Sequence, residues 1–224
     1  MRVVAVPAKA FRLSKSRLAP VLTPAERASL SAAMLEDVLA ATAATTGWER
    51  WMVSADPAAL ALAERLGARA VPEERRSLLA AVRQAEALAA AEDAEALAVV
   101  LADLPLLSTP ALAAALAEPA AVVLAPAESD GGTNLLLRRP PGVIRARFGR
   151  DSFRRHLEEA GAAGVAARVI RRPELAFDLD GPADLDALAR RAARPGGRGT
   201  PGPRTRAVCL ELDVAGRLRA FAAR

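Results

Sequence analysis

Tyrosine is absent from this chain, and aromatic residues make up only 3% of it. The aromatic platforms on which single-stranded nucleic acid stacks are therefore scarce, which argues against a nucleic-acid partner. One cysteine, Cys209, excludes an intrachain disulfide and a cysteine-based zinc cluster. One histidine, His156, suggests no Ser-His-Asp arrangement. It falls one turn into a predicted helix and reads as a surface or packing residue rather than a base. No apolar run reaches the ~18 residues of a membrane-spanning helix, so no membrane partner is expected. The opening MRVVAVPAK enters a strand-like run with no apolar signal core or cleavage site, and the expected location is cytoplasmic. Lysine is the most informative scarcity. Of 31 Lys plus Arg, only Lys9 and Lys15 are lysine, and both lie in one loop.

What is present bounds the class. The 224 residues suit one domain, or one domain with an appendage, and 52% are hydrophobic, enough for a large core of Ala, Leu and Val. Trp48 and Trp51 read as packing residues. The net charge of +5 and pI of about 10.7 suit an anionic partner in general terms. Arginine concentrates toward the C-terminal third, where a solvated basic face is the plain reading. Homo-oligomerisation is left open by these features.

Apolar runs alternate with helical patterns. Residues 2–6 (RVVAV) predict a buried strand. Residues 23–47 predict a helix with Thr23 as N-cap, Pro24 in its first turn, Glu26 three residues beyond the cap, and Gly47 as its stop. Residues 50–54 and 68–71 predict strands, and 56–67 a helix between an aspartate cap and a glycine. A helix is predicted over 74–93, an apolar strand ending in aspartate over 96–105, a helix capped by Ser108 or Thr109 over 108–118, and a strand over 120–126. This alternation predicts an α/β fold of three layers, with helices on both faces of a mostly parallel sheet. Beyond 127 come a Gly-rich turn, a strand, a proline break, a helix capped by Asp151 or Ser152, and a return strand over 167–172. FDLDGPADL predicts a strand tip and a capped helix that complete a domain over 1–192. Residues 193–205 read as a Pro/Gly linker, and 206–224 as two short strands around DVAG.

Ligands in such sheets bind beyond the carboxyl ends of the strands. That rule selects the loop after the first strand, PAKAFRLSKSR, and the LADLP segment. The loop carries Lys9, Arg12, Lys15 and Arg17, and its charges and backbone amides suit a triphosphate. It has neither GxxxxGK[ST] nor GxGxxG spacing. Asp103 ends a buried strand, where a carboxylate is costly unless paired or bound to a cation. Asp178 and Asp180 point to one face of a second strand tip. Carboxylates from two distant strands beside a phosphate loop fit an Mg²⁺ site, although each alone also fits a cap. Gly131, Gly132 and Thr133 in DGGTN, with Gly149 and Ser152 in RFGRDSF, suit a small phosphate or carboxylate, and equally suit ordinary turns.

The stretches VPAKAFRLSKSRLAP, VVLADLPLLS, DGGTNLLL, RFGRDSFRRHLEEA and FDLDGPADLDAL together resemble the CofC/FbiD guanylyltransferases of coenzyme F420 biosynthesis, in the family's order from about residue 2 to 190. The resemblance implies a nucleotide-diphospho-sugar-transferase-like fold, GTP as co-substrate, and Mg²⁺. It assigns Lys9, Lys15 and Arg17 to the GTP phosphates, and Asp103 and Asp178, with Asp180 nearby, to the metal. Thr133, Gly149 and Ser152 would hold a phosphorylated three-carbon acid. Where the family shows a GLN-like stretch opening the third helix, this chain has Ser77, Leu78 and Leu79.

The implied reaction is attack of the acid's phosphate oxygen on the α-phosphorus of GTP, with pyrophosphate leaving. The attacking oxygen is already ionised at neutral pH, so no general base is required. Phosphoenolpyruvate is the favoured acceptor, beside 2-phospho-L-lactate and 3-phosphoglycerate. A molybdenum-cofactor-type nucleotidyltransferase would share the strand-end aspartate but should carry a Gly-rich first loop. A catalytically degenerate nucleotide-binding module would bind GTP without releasing pyrophosphate.

Overall fold

The computed structural model describes the whole chain except Glu74, Arg76, Ser129, Pro195, Arg198, Ala223 and Arg224, and the side chains of Leu13 and Ala222. Its strands are β1 (Arg2–Pro7), β2 (Glu49–Ser54), β3 (Arg69–Pro72), β4 (Ala96–Val100), β5 (Val122–Pro126), β6 (Thr133–Arg138) and β7 (Ala167–Val169). Its helices are α1 (Pro24–Ala43), α2 (Pro57–Arg65), α3 (Leu78–Ala91), α4 (Thr109–Leu116), α5 (Ser152–Ala162), α6 (Pro173–Ala176), α7 (Pro182–Ala192), α8 (Pro203–Glu211) and α9 (Val214–Ala222). The seven strands form one sheet in the order β3-β2-β1-β4-β6-β5-β7. Only β6 runs antiparallel to its neighbours, β4 and β5. No described helix is long and apolar enough to cross a membrane.

Alternation along the strands builds the layers. In β1, Val4 and Val6 face a cluster containing Leu35 and Leu39 of α1, Leu62 of α2 and Leu112 of α4. Val3 and Ala5 face the opposite cluster, with Ala81, Val82 and Ala85 of α3 and Ala160 of α5. The predicted three-layer α/β fold is what forms. The capping box at Thr23 is present, with Glu26 N donating to Thr23 Oγ1 and Thr23 N to Glu26 Oε2. Asp56 caps α2 and Ser108 caps α4.

Several expectations are corrected. The fourth strand stops at Val100, and Leu101–Pro105 form a turn that carries Asp103 out of the sheet. The return strand ends at Val169, because Pro173 opens the short helix α6. Residues 177–180 carry no regular secondary structure and lie outside the sheet rather than forming a strand tip. Helix α3 starts at Leu78, with Ser77 as its cap, and Glu74 and Arg76 of the expected 74–93 helix lie outside the described residues.

The largest correction is the tail. Residues 206–222 are not two strands but lie in the helices α8 and α9. Pro203 occupies the first turn of α8, and Cys209, Val214 and Leu218 bury against Leu30 and Met34 of α1 and Leu185 and Leu188 of α7. The carboxylate of Asp37 on α1, only 6% exposed, accepts the amides of Arg204 and Thr205 at 3.1 and 2.8 Å. It thereby satisfies donors that open α8, the task of a helix cap performed from another helix. Gly202 N donates to Pro105 O at 2.9 Å, so the expected linker ends against the turn that follows β4.

Candidate active site

The loop after β1 is fastened to the end of β2. Ala8 N donates to Val53 O, Ser54 Oγ to Ala8 O, and Phe11 N to Asp56 Oδ2 at 2.8 Å. So anchored, the loop turns at Lys15, whose φ of 56° lies in the left-handed region. A residue other than glycine there costs on the order of 1 kcal/mol, a strain that marks functional positions. The turn buries the ammonium. Lys15 Nζ lies 2.6 Å from Asp103 Oδ2 and 3.5 Å from Asp180 Oδ1. Burial alone would lower the Lys15 pKa, but the Asp103 carboxylate, helped by Asp180 and Asp178, outweighs it and holds the pKa above its ordinary value. Arg17 is exposed, 3.9 Å from Asp180 Oδ2.

The strand order explains why distant carboxylates meet. β4 lies beside β1, so Asp103 emerges next to the lysine loop. Leu179 N then donates to Asp103 O at 3.2 Å, which draws Asp178 and Asp180 to the same edge. Burial, reinforced by the Asp103 and Asp180 charges, pushes the Asp178 pKa up to about 7. Its Oδ1 is buried without a hydrogen-bond partner. An orphaned carboxylate oxygen on a residue within the field of two further carboxylates suits a hard divalent cation. Among the described residues no group of three acidic, His or Cys side chains converges as a ready cluster. A cation here would take one or two carboxylates and complete its shell with phosphate oxygens and water.

A cleft of about 400 Å³ has walls that include Lys9, Lys15, Arg17, Asp103 and Asp180, while the buried Asp178 does not line it. A second cleft of about 390 Å³ shares Lys9, Phe11 and Glu73 with the first.

The predicted acceptor residues form a separate cluster at the same end of the sheet. Leu101 N donates to Asn134 O, so the antiparallel register carries on from Val100 opposite Leu135 and sets Thr133 across from Ala102, beside Asp103. Thr133 and Ser152 are nonetheless buried, and neither they nor Gly149 line the cleft. Their hydroxyls bond to each other at 3.2 Å, and Thr133 Oγ1 lies 3.0 Å from His156 Nδ1. Helix α5 begins next to them without a side-chain cap. Its first two amides are taken, Ser152 N by Gly149 O and Phe153 N by Gly131 O, so the helix dipole, rather than the two hydroxyls, is what this segment can offer an anion.

Of the two roles expected for His156, surface or packing, the structure shows packing: its ring meets Phe148 edge-on at 5.2 Å. His156 is fully buried, and its Nε2 accepts from Arg147 N at 2.8 Å, which assigns the neutral ring's proton to Nδ1, facing Thr133. Nothing in RDSFRRH marks this role, because both partners are remote in sequence. Burial, then the Arg138 and Arg155 charges, pushes its pKa down to about 4. A depressed histidine stabilises the fold above its ordinary pKa near 6.5, and that contribution is lost as pH falls through 4. Stability should drop by up to about 3 kcal/mol across that window. Asp178 titrates with the opposite sign, gaining stability as pH falls below 7. Comparing His156→Asn with wild type isolates the histidine. The variant should be less stable at pH 7.5, and its deficit should shrink in thermal melts toward pH 4.5. A deficit constant with pH would remove His156 from the acid response.

Asn134 was also passed over. Its Nδ2 donates to Leu175 O and Ala176 O at 3.0 and 3.1 Å, fixing α6 beneath the aspartate segment.

Comparison with known proteins follows this geometry. The match to the family described as "Guanylyl transferase CofC like" spans residues 1–191. The phosphoenolpyruvate guanylyltransferase of Rubrobacter xylanophilus is 44% identical over 187 residues, covering 82% of this chain and 91% of that protein. The 3-phospho-D-glycerate guanylyltransferase of Phenylobacterium zucineum is 40% identical over 184 residues, covering 79% of this chain and 84% of that protein. A crystal structure of a putative nucleotide-diphospho-sugar transferase from Desulfovibrio desulfuricans superposes with a TM-score of 0.79 over 99% of both chains at 19% identity, a likeness of fold. By motif order, sheet topology and identity along most of its length, this chain belongs to the CofC-like guanylyl transferase family.

Proposed function

We propose that the protein transfers GMP from GTP to the phosphate of a three-carbon phospho-acid in coenzyme F420 biosynthesis, with phosphoenolpyruvate the favoured acceptor. The observation that carries this reading is the Lys15–Asp103–Asp180 cluster, a buried ammonium held by two partly exposed carboxylates at the cleft wall, with exposed Arg17 beside it. An oxygen of the acceptor phosphate bonds to the α-phosphorus of GTP as the bond from that phosphorus to the β-phosphate bridging oxygen breaks, and pyrophosphate leaves. Both reactants are anions, so the barrier is largely repulsion and disorder, and the protein's work is positioning and charge compensation. Lys15 and Lys9 stabilise negative charge on the phosphates, and Arg17 meets the departing end. Thr133, Gly149 and Ser152 shape the acceptor seat, Thr133 and Ser152 from behind its wall, where they are buried beside the start of α5. Asp103 and Asp178, with Asp180 nearby, would hold Mg²⁺, which supplies further neutralisation of the triphosphate when bound.

Two features support phosphoenolpyruvate: the Rubrobacter enzyme's stated substrate and its 44% identity. The test is pyrophosphate release in Mg²⁺, crossing GTP, CTP and ATP with phosphoenolpyruvate, 2-phospho-L-lactate and 3-phosphoglycerate. GTP with phosphoenolpyruvate should exceed every other pair by at least about tenfold in kcat/KM. Equal rates with CTP would end the guanylyl reading, and a faster rate with another acid would reassign the acceptor.

A further inference from the structure

We propose that Glu73 is the residue that selects guanine over the other bases, a proposal that rests on the guanylyl-transfer reading above. The cleft is chemically polarised. Lys15, Arg17, Asp103 and Asp180 gather where β4 ends, which is where the triphosphate belongs. On the β3 side the lining includes the apolar Leu78 and Ala81 from α3, and there Glu73 supplies a carboxylate just beyond β3. β3 stands three strand spacings from β4, about 14 Å across the sheet at the usual inter-strand distance. That separation is of the order of a nucleotide's length, so a GTP whose phosphates meet Lys15 carries its base toward Glu73.

The side chain is held in place for such a task. Glu73 N donates to Ser54 O at 2.8 Å, and Glu73 Oε1 accepts from Ser77 N at 2.5 Å. Ser77 in turn caps α3 through Ser77 Oγ and Ala80 N. A carboxylate has acceptor sites on both oxygens, so the bond to Ser77 leaves capacity for a ligand. Phe11 borders both clefts beside Glu73 and offers a flat apolar wall.

Base chemistry supplies the selectivity. Guanine alone presents two adjacent donors on its pairing edge, the ring N1–H and the exocyclic N2 amine. An acceptor-only carboxylate matches that pair. Adenine and cytosine present a ring-nitrogen acceptor beside their amine, and a carboxylate repels that nitrogen. Glu73 thus provides the polar base contact while Ser77, through its amide, orients it.

The test is Glu73→Gln in the full chain, with direct titration of GTP, ITP and ATP in Mg²⁺ beside steady-state kinetics. ITP lacks only the N2 amine. Glutamine keeps an oxygen to accept from Ser77 N, and melting temperature checks the fold. Wild type should prefer GTP to ITP by about tenfold or more. In Glu73→Gln, GTP affinity should fall roughly 10–100-fold, the loss of a charge-assisted hydrogen bond, with the kinetic loss in KM. Its GTP-to-ITP ratio should approach unity, and ATP affinity should rise. A folded variant that keeps the wild-type GTP, ITP and ATP ratios would overturn the role of Glu73 while leaving guanylyl transfer intact. A wild type with no preference for GTP would overturn both.

Discussion

Asp103→Asn should lower pyrophosphate release by about three orders of magnitude or more, the scale reached when a central electrostatic group of a transfer site is removed. Its carboxylate has two partners whose needs coincide. It holds Lys15 Nζ at 2.6 Å and is the second cause of the high pKa of Asp178. Asparagine keeps the shape but leaves the lysine without its principal counter-charge and weakens any cation seat. The fold should tolerate the change, because Asp103 sits in a turn beyond β4 and Asp180 remains 3.5 Å from Lys15. Loss of one like charge beside Asp178 also relieves repulsion. Thermal melting within about 4 °C of wild type, together with lost turnover, is the expected pair of results. Turnover within tenfold of wild type would remove Asp103 from the chemistry.

Lys15→Arg is the second large effect, and it runs against the usual view of that exchange as conservative. Arginine serves almost everywhere else in this chain. Here the ammonium must be a compact point charge between two carboxylates, at the end of a stem leaving a left-handed backbone position. A planar guanidinium is larger, and its fork would pair side-on with Asp103 and Asp180 instead of leaving a donor for phosphate. A loss of about 100-fold in kcat/KM is expected, with GTP titration weakened in parallel. A variant that retains wild-type kinetics would show that any cation suffices at this position.

Much of this arrangement was legible before the coordinates. The scarcity of lysine singled out the first loop, and the strand-end rule singled out Asp103. The apolar runs and caps foretold the layers. What stayed hidden depends on non-local packing. β6 reads as a strand from its residues, but its antiparallel insertion between β4 and β5 is not written in them. His156 looks like one polar residue among many in RDSFRRH, and its burial is set by Thr133 and the backbone of Arg147. The tail misled for a different reason. Val208, Leu210 and Leu212 alternate as in a strand, yet Thr205 and Cys209 are the positions buried in α8, a helical spacing. Pro203 behind Gly202 was the local sign of a helix start that the alternation obscured.

The same frugality with lysine has a practical side. An acylating reagent aimed at lysine side chains meets only Lys9 and Lys15. Lys9 stands exposed on the cleft wall, and Lys15 is shielded there by two acidic neighbours. Covalent labelling mapped by mass spectrometry can thus report occupancy of the proposed nucleotide seat from the unmodified polypeptide, with no tag or dye installed.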